Sequence, residues 1–195
     1  HPPGEFSRII ARNGGRQNAF TGRDYTSYFQ QLAADRLDIA FRLEADRMQH
    51  LALSAQEFAK ERQVVMEERR LRITDQPRSL FGERFDTVAY PASPYGRPII
   101  GWQEDLDGIA IEDLQDWYAR WYAPGNAILV VVGDVQPDAV FRLAKETFGN
   151  VPPRPTARPR GSDYLRTPGE RRIVMHSQDA RVPYVLLGYQ VPSVA

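Results

Sequence analysis

The chain has 195 residues, of which 42% are hydrophobic and 26% are charged, a composition typical of a folded globular protein. Its 25 basic and 25 acidic residues give a formal net charge of zero, so no overall positive field favours binding to nucleic acid or to an anionic membrane. Cysteine is absent, which excludes disulfides and thiolate metal sites, so any bound metal needs His, Asp or Glu ligands. No apolar run approaches the length of a membrane-spanning helix.

Hydrophobic spacing and turn residues predict an α+β fold in which helices and strands are segregated along the chain. The predicted helices are Glu5–Arg12, Asp35–Leu51, Ser54–Ile73, Pro77–Ala89, Ile111–Tyr122 and Pro137–Phe148. The predicted extended segments are Asn18–Gln31, a buried strand at Ala127–Val132, and two later strands at Arg171–His176 and Tyr184–Val191. Pro91–Gly108 is typical of a loop. We therefore expect one domain over residues 1–195, with a core at 1–150, a Pro-rich connection at 151–170 and final strands at 171–195.

Two glutamates lie where the predicted helix Ser54–Ile73 should be apolar. At about 100° per residue, Glu61 and Glu68 fall near the middle of an arc of apolar side chains, namely Phe58, Val64, Val65 and Leu71. A carboxylate that faces a core is costly unless it is paired, hydrogen-bonded or bound to a cation. We therefore expect a compensating partner, either a metal ion or an arginine such as Arg72, four residues after Glu68.

Nitrogen ligands for a metal are scarce. His1, His50 and His176 are far apart and form neither an H-x-x-x-H nor an H-x-x-E-H pair, and each is more typical of an ordinary polar histidine. The printed chain does not contain a complete zinc site. Two other clusters favour structural roles: the aromatic residues of 117–122 are typical of packing, and the arginine-rich run 69–72 is typical of a solvated face with internal salt bridges.

Three segments together resemble the pitrilysin/insulinase family of zinc metallopeptidases, the inverted zincins, which include mitochondrial processing peptidase-like proteins. Residues 13–26, NGGRQNAFTGRDYT, resemble the signature segment of that family. Residues 61–68, ERQVVMEE, resemble its downstream glutamate motif, and residues 121–126, WYAPGN, followed by VVVGDV at 130–135, resemble a later segment. The motifs occur in the family's order across almost the whole chain.

The resemblance implies a single pitrilysin-like half-domain, the N-terminal metal-bearing half, with a mixed or antiparallel sheet covered by helices. In the family, a first strand and an H-x-x-E-H helix lie upstream of the segment matched here. We expect that strand, the two His ligands and the general-base Glu to fall before His1. This expectation leaves open whether the chain is a truncated portion of an active enzyme or comes from a degenerate homologue.

The resemblance also implies a zinc-dependent endopeptidase that hydrolyses extended peptides with metal-activated water. By motif position, Glu68 is the metal ligand and Glu61 supports the site by orienting the ligands. Asn18, Ala19 and Phe20 correspond to the sheet edge on which a substrate peptide lies as an added strand. Without the upstream helix, we expect this portion to be inert and to bind zinc poorly.

Members of the family pair two half-domains or two subunits around a chamber, so the expected partners are a peptide substrate and a second homologous half. Bacterial relatives are often exported, and we expect a periplasmic location, with the cytoplasm as the alternative. Two further interpretations stay open. One is a non-catalytic pseudo-peptidase subunit that presents peptides to an active homologue. The other is an α/β interaction domain whose Glu61 and Glu68 pair with arginines.

Overall fold

The computed structural model describes residues 2–154, 169–189 and 191. Within these residues there are seven α-helices and two β-strands, in the order α1 Glu5–Arg12, β1 Arg16–Thr21, β2 Thr26–Gln31, α2 Leu37–His50, α3 Ala55–Arg69, α4 Pro77–Ala89, α5 Gln103–Gly108, α6 Ile111–Trp121 and α7 Pro137–Phe148. The helices predicted at Glu5–Arg12, Pro77–Ala89 and Pro137–Phe148 are confirmed at both ends. The loop predicted at Pro91–Gly108 contains α5, which is a correction.

The chain divides into two compact units, and the division falls inside α3. The first unit comprises His1–Phe58 and Ile109–Pro159, and the second comprises Ala59–Gly108 and Arg160–Ala195. The substrate residues predicted from the sequence therefore belong to the first unit, and the predicted metal residues belong to the second.

A glycine pair ends α1 and starts the hairpin of the first unit. Gly14 has φ +73°, a left-handed conformation that favours glycine, and the Gly15 N–H donates to the Ile10 carbonyl at 2.9 Å. A side chain at Gly15 would meet the Gln31 carbonyl oxygen at 2.8 Å. The Asn13-Gly14-Gly15 segment therefore lets β1 leave the helix and approach β2 closely.

Strands β1 and β2 form an antiparallel hairpin in continuous register from Arg16 opposite Gln31 to Thr21 opposite Thr26. The Gly22 N–H donates to the Tyr25 carbonyl at 2.8 Å and closes the turn. The sequence predicted the region Asn18–Gln31 as extended, and the structure confirms this while adding the turn.

The hydrophobic core lies in the first unit. The apolar side chains that are buried among the described residues are Ile10, Phe41, Leu43, Ala45, Ala123 and Val151. Phe41 of α2 packs edge-on against Phe148 of α7, with ring centroids 6.0 Å apart. In the second unit, the buried side chains of the described part are instead a charged pair, Arg69 and Glu83.

The later predicted strands are wrong for the part of the chain that the structure describes. Ala127–Val132 forms no ladder, and Ile128, Val130 and Val132 are 92%, 74% and 92% exposed. Arg171–His176 and residues 184–189 also lack a strand partner within the described ranges. A strand needs a neighbouring strand to satisfy its backbone groups. Within the described residues, Tyr184 instead packs edge-on against Phe81 of α4, and the Arg171 side chain donates to the Val88 carbonyl of the same helix.

The Pro-rich connection predicted at 151–170 lies mostly outside the described residues, and the division into core, connection and final strands stays a prediction. None of the helices in the described ranges is both long and apolar enough to cross a membrane.

Candidate metal and substrate site

The helix α3 carries both glutamates of the predicted metal site. It begins after Ser54, whose Oγ accepts a hydrogen bond from the Glu57 N–H at 3.2 Å, an interaction typical of a helix N-terminus. Glu68 follows Glu61 by seven positions, which is close to two helical turns, so the two carboxylates share one face of the helix. The structure therefore confirms that they lie one above the other.

That face does not point into a core, which corrects the sequence-based expectation. Glu61 is exposed, the Glu68 side chain is 39% exposed, and Val64 and Leu71 are 58% and 52% exposed. The apolar arc did not predict which face of α3 is buried. The buried residue of α3 is Arg69, which lies about 80° around the helix from the centre of the arc. The two carboxylates are therefore accessible to a ligand approaching from solvent.

Glu68 has a local partner. Its Oε1 lies 3.0 Å from Nη1 of Arg72, four residues later, as the sequence predicted for the alternative without a metal. Because the Arg72 side chain is 75% exposed, the pair is worth about 0.3–0.5 kcal/mol at most. Glu61 forms no salt bridge with any residue in the described ranges. The arginine pairing expected for both glutamates is thus found for one.

The rest of the arginine run is mainly a solvated network, as predicted. Arg70 donates to both carboxylate oxygens of Glu67, at 2.9 Å and 2.6 Å, and also contacts Asp75. The hydrogen bond from Arg70 lowers the pKa of Glu67 below its ordinary value. Arg69 is the exception, since it is buried.

The described residues do not form a complete zinc site. Catalytic zinc sites use three protein ligands and leave a position for water. Across residues 2–154, 169–189 and 191, no three metal-ligating side chains are grouped together. His50 lies 3.1 Å from Asp46 on α2, His176 is exposed, and His1 is outside the described residues. Glu68 fits a single ligand position, because an accessible carboxylate is a suitable oxygen donor for zinc.

The predicted substrate edge is strand β1. Asn18, Ala19 and Phe20 are exposed, as is every residue of this strand, and Phe20 is 51% exposed. In the described part of the chain, β1 pairs with β2 on one side only, so its other edge has no strand neighbour. An edge of this kind can accept an extended peptide through main-chain hydrogen bonds.

Tyr28 of β2 belongs to a cluster of aromatic residues and one arginine. The Arg47 guanidinium lies 3.7 Å from the centroid of the Tyr28 ring, and the Tyr28 and Tyr122 hydroxyls are hydrogen-bonded. Tyr118 stacks beside Tyr122 with centroids 5.1 Å apart. The packing role predicted for Tyr118 and Tyr122 is confirmed, whereas Trp117 is 58% exposed.

The buried pair Arg69–Glu83 was not predicted from the sequence. The two side chains form a bidentate salt bridge with N···O distances of 2.7 Å and 2.9 Å. The only local signal was a charged residue at each position, Arg69 within an arginine run and Glu83 within the predicted helix Pro77–Ala89. Nothing in that pattern connects residues 14 positions apart on two different helices.

Comparison with known proteins identifies the class of protein. Residues 1–102 match the family model for Insulinase (Peptidase family M16), and residues 108–195 match the model for the Peptidase M16 inactive domain. The chain belongs to peptidase family M16. The resemblance seen in the three sequence motifs is thereby confirmed.

Individual relatives agree with this assignment. The chain is 37% identical over 196 residues to the zinc protease PqqE of Helicobacter pylori, covering 97% of this chain and 43% of the relative. It is 30% identical to an uncharacterized zinc protease of Mycobacterium leprae over 96% of this chain and 42% of that protein. The chain therefore spans less than half the length of these relatives.

A solved structure confirms the α+β half-domain fold. A protease from Helicobacter pylori superposes with a TM-score of 0.78 at 37% identity, covering 83% of this chain and 39% of the other. These relatives and that structure are named as proteases, and two of them as zinc proteases.

Proposed function

We propose that this chain is part of a zinc-dependent endopeptidase that hydrolyses peptide bonds in extended peptides. The proposal rests on strand β1 in a chain of peptidase family M16. This strand is exposed, and within the described residues it pairs with another strand along one edge only. Because such an edge binds through the main chain, it tolerates many substrate side chains. Asn18, Ala19 and Phe20 are proposed as the segment that receives the peptide.

Glu68 is proposed as one zinc ligand, and Glu61 as a residue that supports the site. The accessible carboxylate of Glu68 and its weak surface pairing with Arg72 support this, since a metal can displace an exposed arginine at little cost. A bound zinc ion would supply the activation of a water molecule for attack on the peptide bond. The other ligands and the general base are expected from outside the described residues.

The zinc proposal is tested with Glu68→Gln in the full-length protein. Gln keeps the size of the side chain and removes the charge that favours zinc, so zinc content and peptidase activity should both fall at least tenfold. Glu67→Gln is a matched control, because Glu67 directly precedes Glu68, lies about 100° away around the helix, and pairs with Arg70. Normal zinc content and activity in Glu68→Gln would exclude Glu68 as a ligand.

The substrate edge is tested with modified peptides. N-methylation of one amide in a cleaved peptide removes a main-chain donor, so KM should rise about tenfold if the peptide pairs as a strand. A side-chain change at the same peptide position is the control and should have a smaller effect. Equal effects of the two changes would argue against strand addition to β1.

A second candidate is a non-catalytic subunit that presents peptides to an active homologue. The match of residues 108–195 to a model described as an inactive domain favours it. Under this alternative, the full-length protein would bind peptides but hold less than one zinc ion per ten chains. Metal analysis of the purified protein distinguishes the two candidates.

A second homologous half-domain or subunit is proposed to close a chamber around the peptide, and the periplasm is proposed as the compartment. Light scattering of the full-length protein would give its subunit number. Fractionation of cells into periplasm and cytoplasm would locate it.

A further inference from the structure

The buried pair Arg69–Glu83 joins the last turn of α3 to α4. Both side chains are 6% exposed, Nη1 of Arg69 donates to Oε2 of Glu83 at 2.7 Å, and Nη2 donates to Oε1 at 2.9 Å. A guanidinium that binds both carboxylate oxygens is fixed in its plane as well as in its distance. The pair therefore sets how the end of α3 is rotated relative to α4.

Arg69 directly follows Glu68 in α3. Adjacent residues of an α-helix are related by about 100° of rotation and 1.5 Å of rise. Any rotation of this last turn that moves Arg69 also moves Glu68 by the same angle. Arg72, the partner of Glu68, is only four residues further along the same chain segment and exposed, so it cannot orient the turn against the rest of the unit.

No buried apolar side chain of the second unit packs against the end of α3 in the described residues. Immediately after Arg69 the chain enters a π-helical turn at Arg70–Thr74, where the regular helical register changes. Within the described part of the second unit, no apolar side chain is buried, whereas Arg69 and Glu83 are. The Arg69 guanidinium also lies 6.0 Å from the ring of Trp102, next to α5.

Stability is a weak explanation for such a pair. Removing two charges from water costs several kcal/mol per ion, and well-packed apolar residues at the same positions are often as stable. In addition, Nε of Arg69 is buried without a hydrogen-bond partner among the described residues. Unlike an apolar pair, a bidentate ion pair constrains the direction of the contact.

We propose that Arg69 and Glu83 are positioning residues that hold Glu68 in the orientation needed for metal binding. This inference rests on the proposed role of Glu68 as a zinc ligand. The pair affects the orientation of the Glu68 carboxylate and not its chemical properties. Zinc affinity should therefore depend on the pair even when the fold is retained.

The test uses the full-length protein and a double variant, Arg69→Met with Glu83→Leu. This variant replaces both charged side chains by apolar ones of similar volume. Zinc affinity is measured by competition with a chelator, alongside the melting temperature and the visible spectrum of the cobalt-substituted protein. We expect about tenfold weaker zinc binding, typical of a lost supporting interaction, and an altered cobalt spectrum, with the fold retained. Arg70→Ala, which breaks only exposed pairs, is the control and should bind zinc normally.

A second variant covers the case in which the double variant does not fold. Arg69→Lys keeps the charge but loses the two-point contact, so zinc binding should weaken about threefold, a smaller effect than in the double variant. Wild-type zinc affinity in the folded double variant, or in Arg69→Lys if the double variant is unfolded, would overturn the positioning role.

Glu68→Gln in the same assay separates this inference from the proposed function. If Glu68→Gln loses zinc while the positioning variants bind normally, the positioning role alone fails. If Glu68→Gln itself binds zinc normally, the ligand assignment fails and the positioning role fails with it.

Discussion

The Tyr118 hydroxyl donates a hydrogen bond of 2.7 Å to the main-chain carbonyl of Arg47, 71 positions earlier in the chain. The same hydroxyl lies 3.4 Å from the N–H of Leu51, which donates to it. It therefore joins α6 to the end of α2. Together with the Tyr28–Tyr122 hydrogen bond, it places α2, α6 and the hairpin in a fixed relationship within the first unit.

Tyr122 makes that arrangement sensitive to alkaline pH. Burial, followed by the hydrogen bond with Tyr28, raises the pKa of Tyr122 above its ordinary value of about 10. Because the folded-state pKa is the higher one, the stabilising contribution is complete below pH 10 and is lost as pH rises through the folded-state pKa. The free energy of unfolding should fall more steeply above pH 10 in the wild type than in Tyr122→Phe. Parallel curves would contradict the raised pKa.

The contact between α2 and α7 should carry much of the stability of the first unit. Phe41 is 3% exposed and packs on Phe148, so Phe41→Ala should lower the free energy of unfolding by about 3–5 kcal/mol. Phe141 of α7 is 72% exposed, and Phe141→Ala should change it by less than about 0.5 kcal/mol. Urea denaturation measures both, and similar losses in the two variants would argue against this packing.

Two glycines should respond to alanine in opposite directions. A side chain at Gly82, in the middle of α4, would meet nothing within 4 Å, so Gly82→Ala should stabilise the protein by about 0.5–1 kcal/mol through helix propensity. Gly15→Ala would press against the Gln31 carbonyl and should destabilise it by about 1–3 kcal/mol. Thermal unfolding would reveal the signs, and a stabilised Gly15→Ala variant would contradict the close approach of β1 to β2.

The accuracy of the sequence-based predictions follows the range of the interactions involved. Helices α1, α4 and α7 are bounded by local signals, such as the glycines after Arg12 and the prolines at 77 and 137, and their ends were predicted correctly. The relation between Glu61 and Glu68 also follows from helical periodicity. Their exposure did not, because it depends on which face of α3 meets the rest of the unit.

The features that were missed or predicted wrongly depend on contacts between residues far apart in the sequence. Arg69 and Glu83 become a buried pair only when α3 and α4 meet, and no local pattern distinguishes these residues from other charges nearby. The run Ala127–Val132 has the composition of a buried strand, yet strand formation needs a partner that no described segment provides. The metal role of Glu68 came from family resemblance and stays a prediction.

The exposed run Ala127–Val132 should promote self-association of this chain. An apolar segment with unpaired backbone groups can pair with the same segment of another molecule. Replacing Ile128, Val130 and Val132 by Thr keeps β-branched shapes but removes most of the exposed apolar surface. Light scattering over a tenfold concentration range should show less association in the triple variant than in the wild type. Phe141→Thr, which changes an exposed apolar residue on a helix, should have little effect, and an equal effect of both changes would point to general surface hydrophobicity.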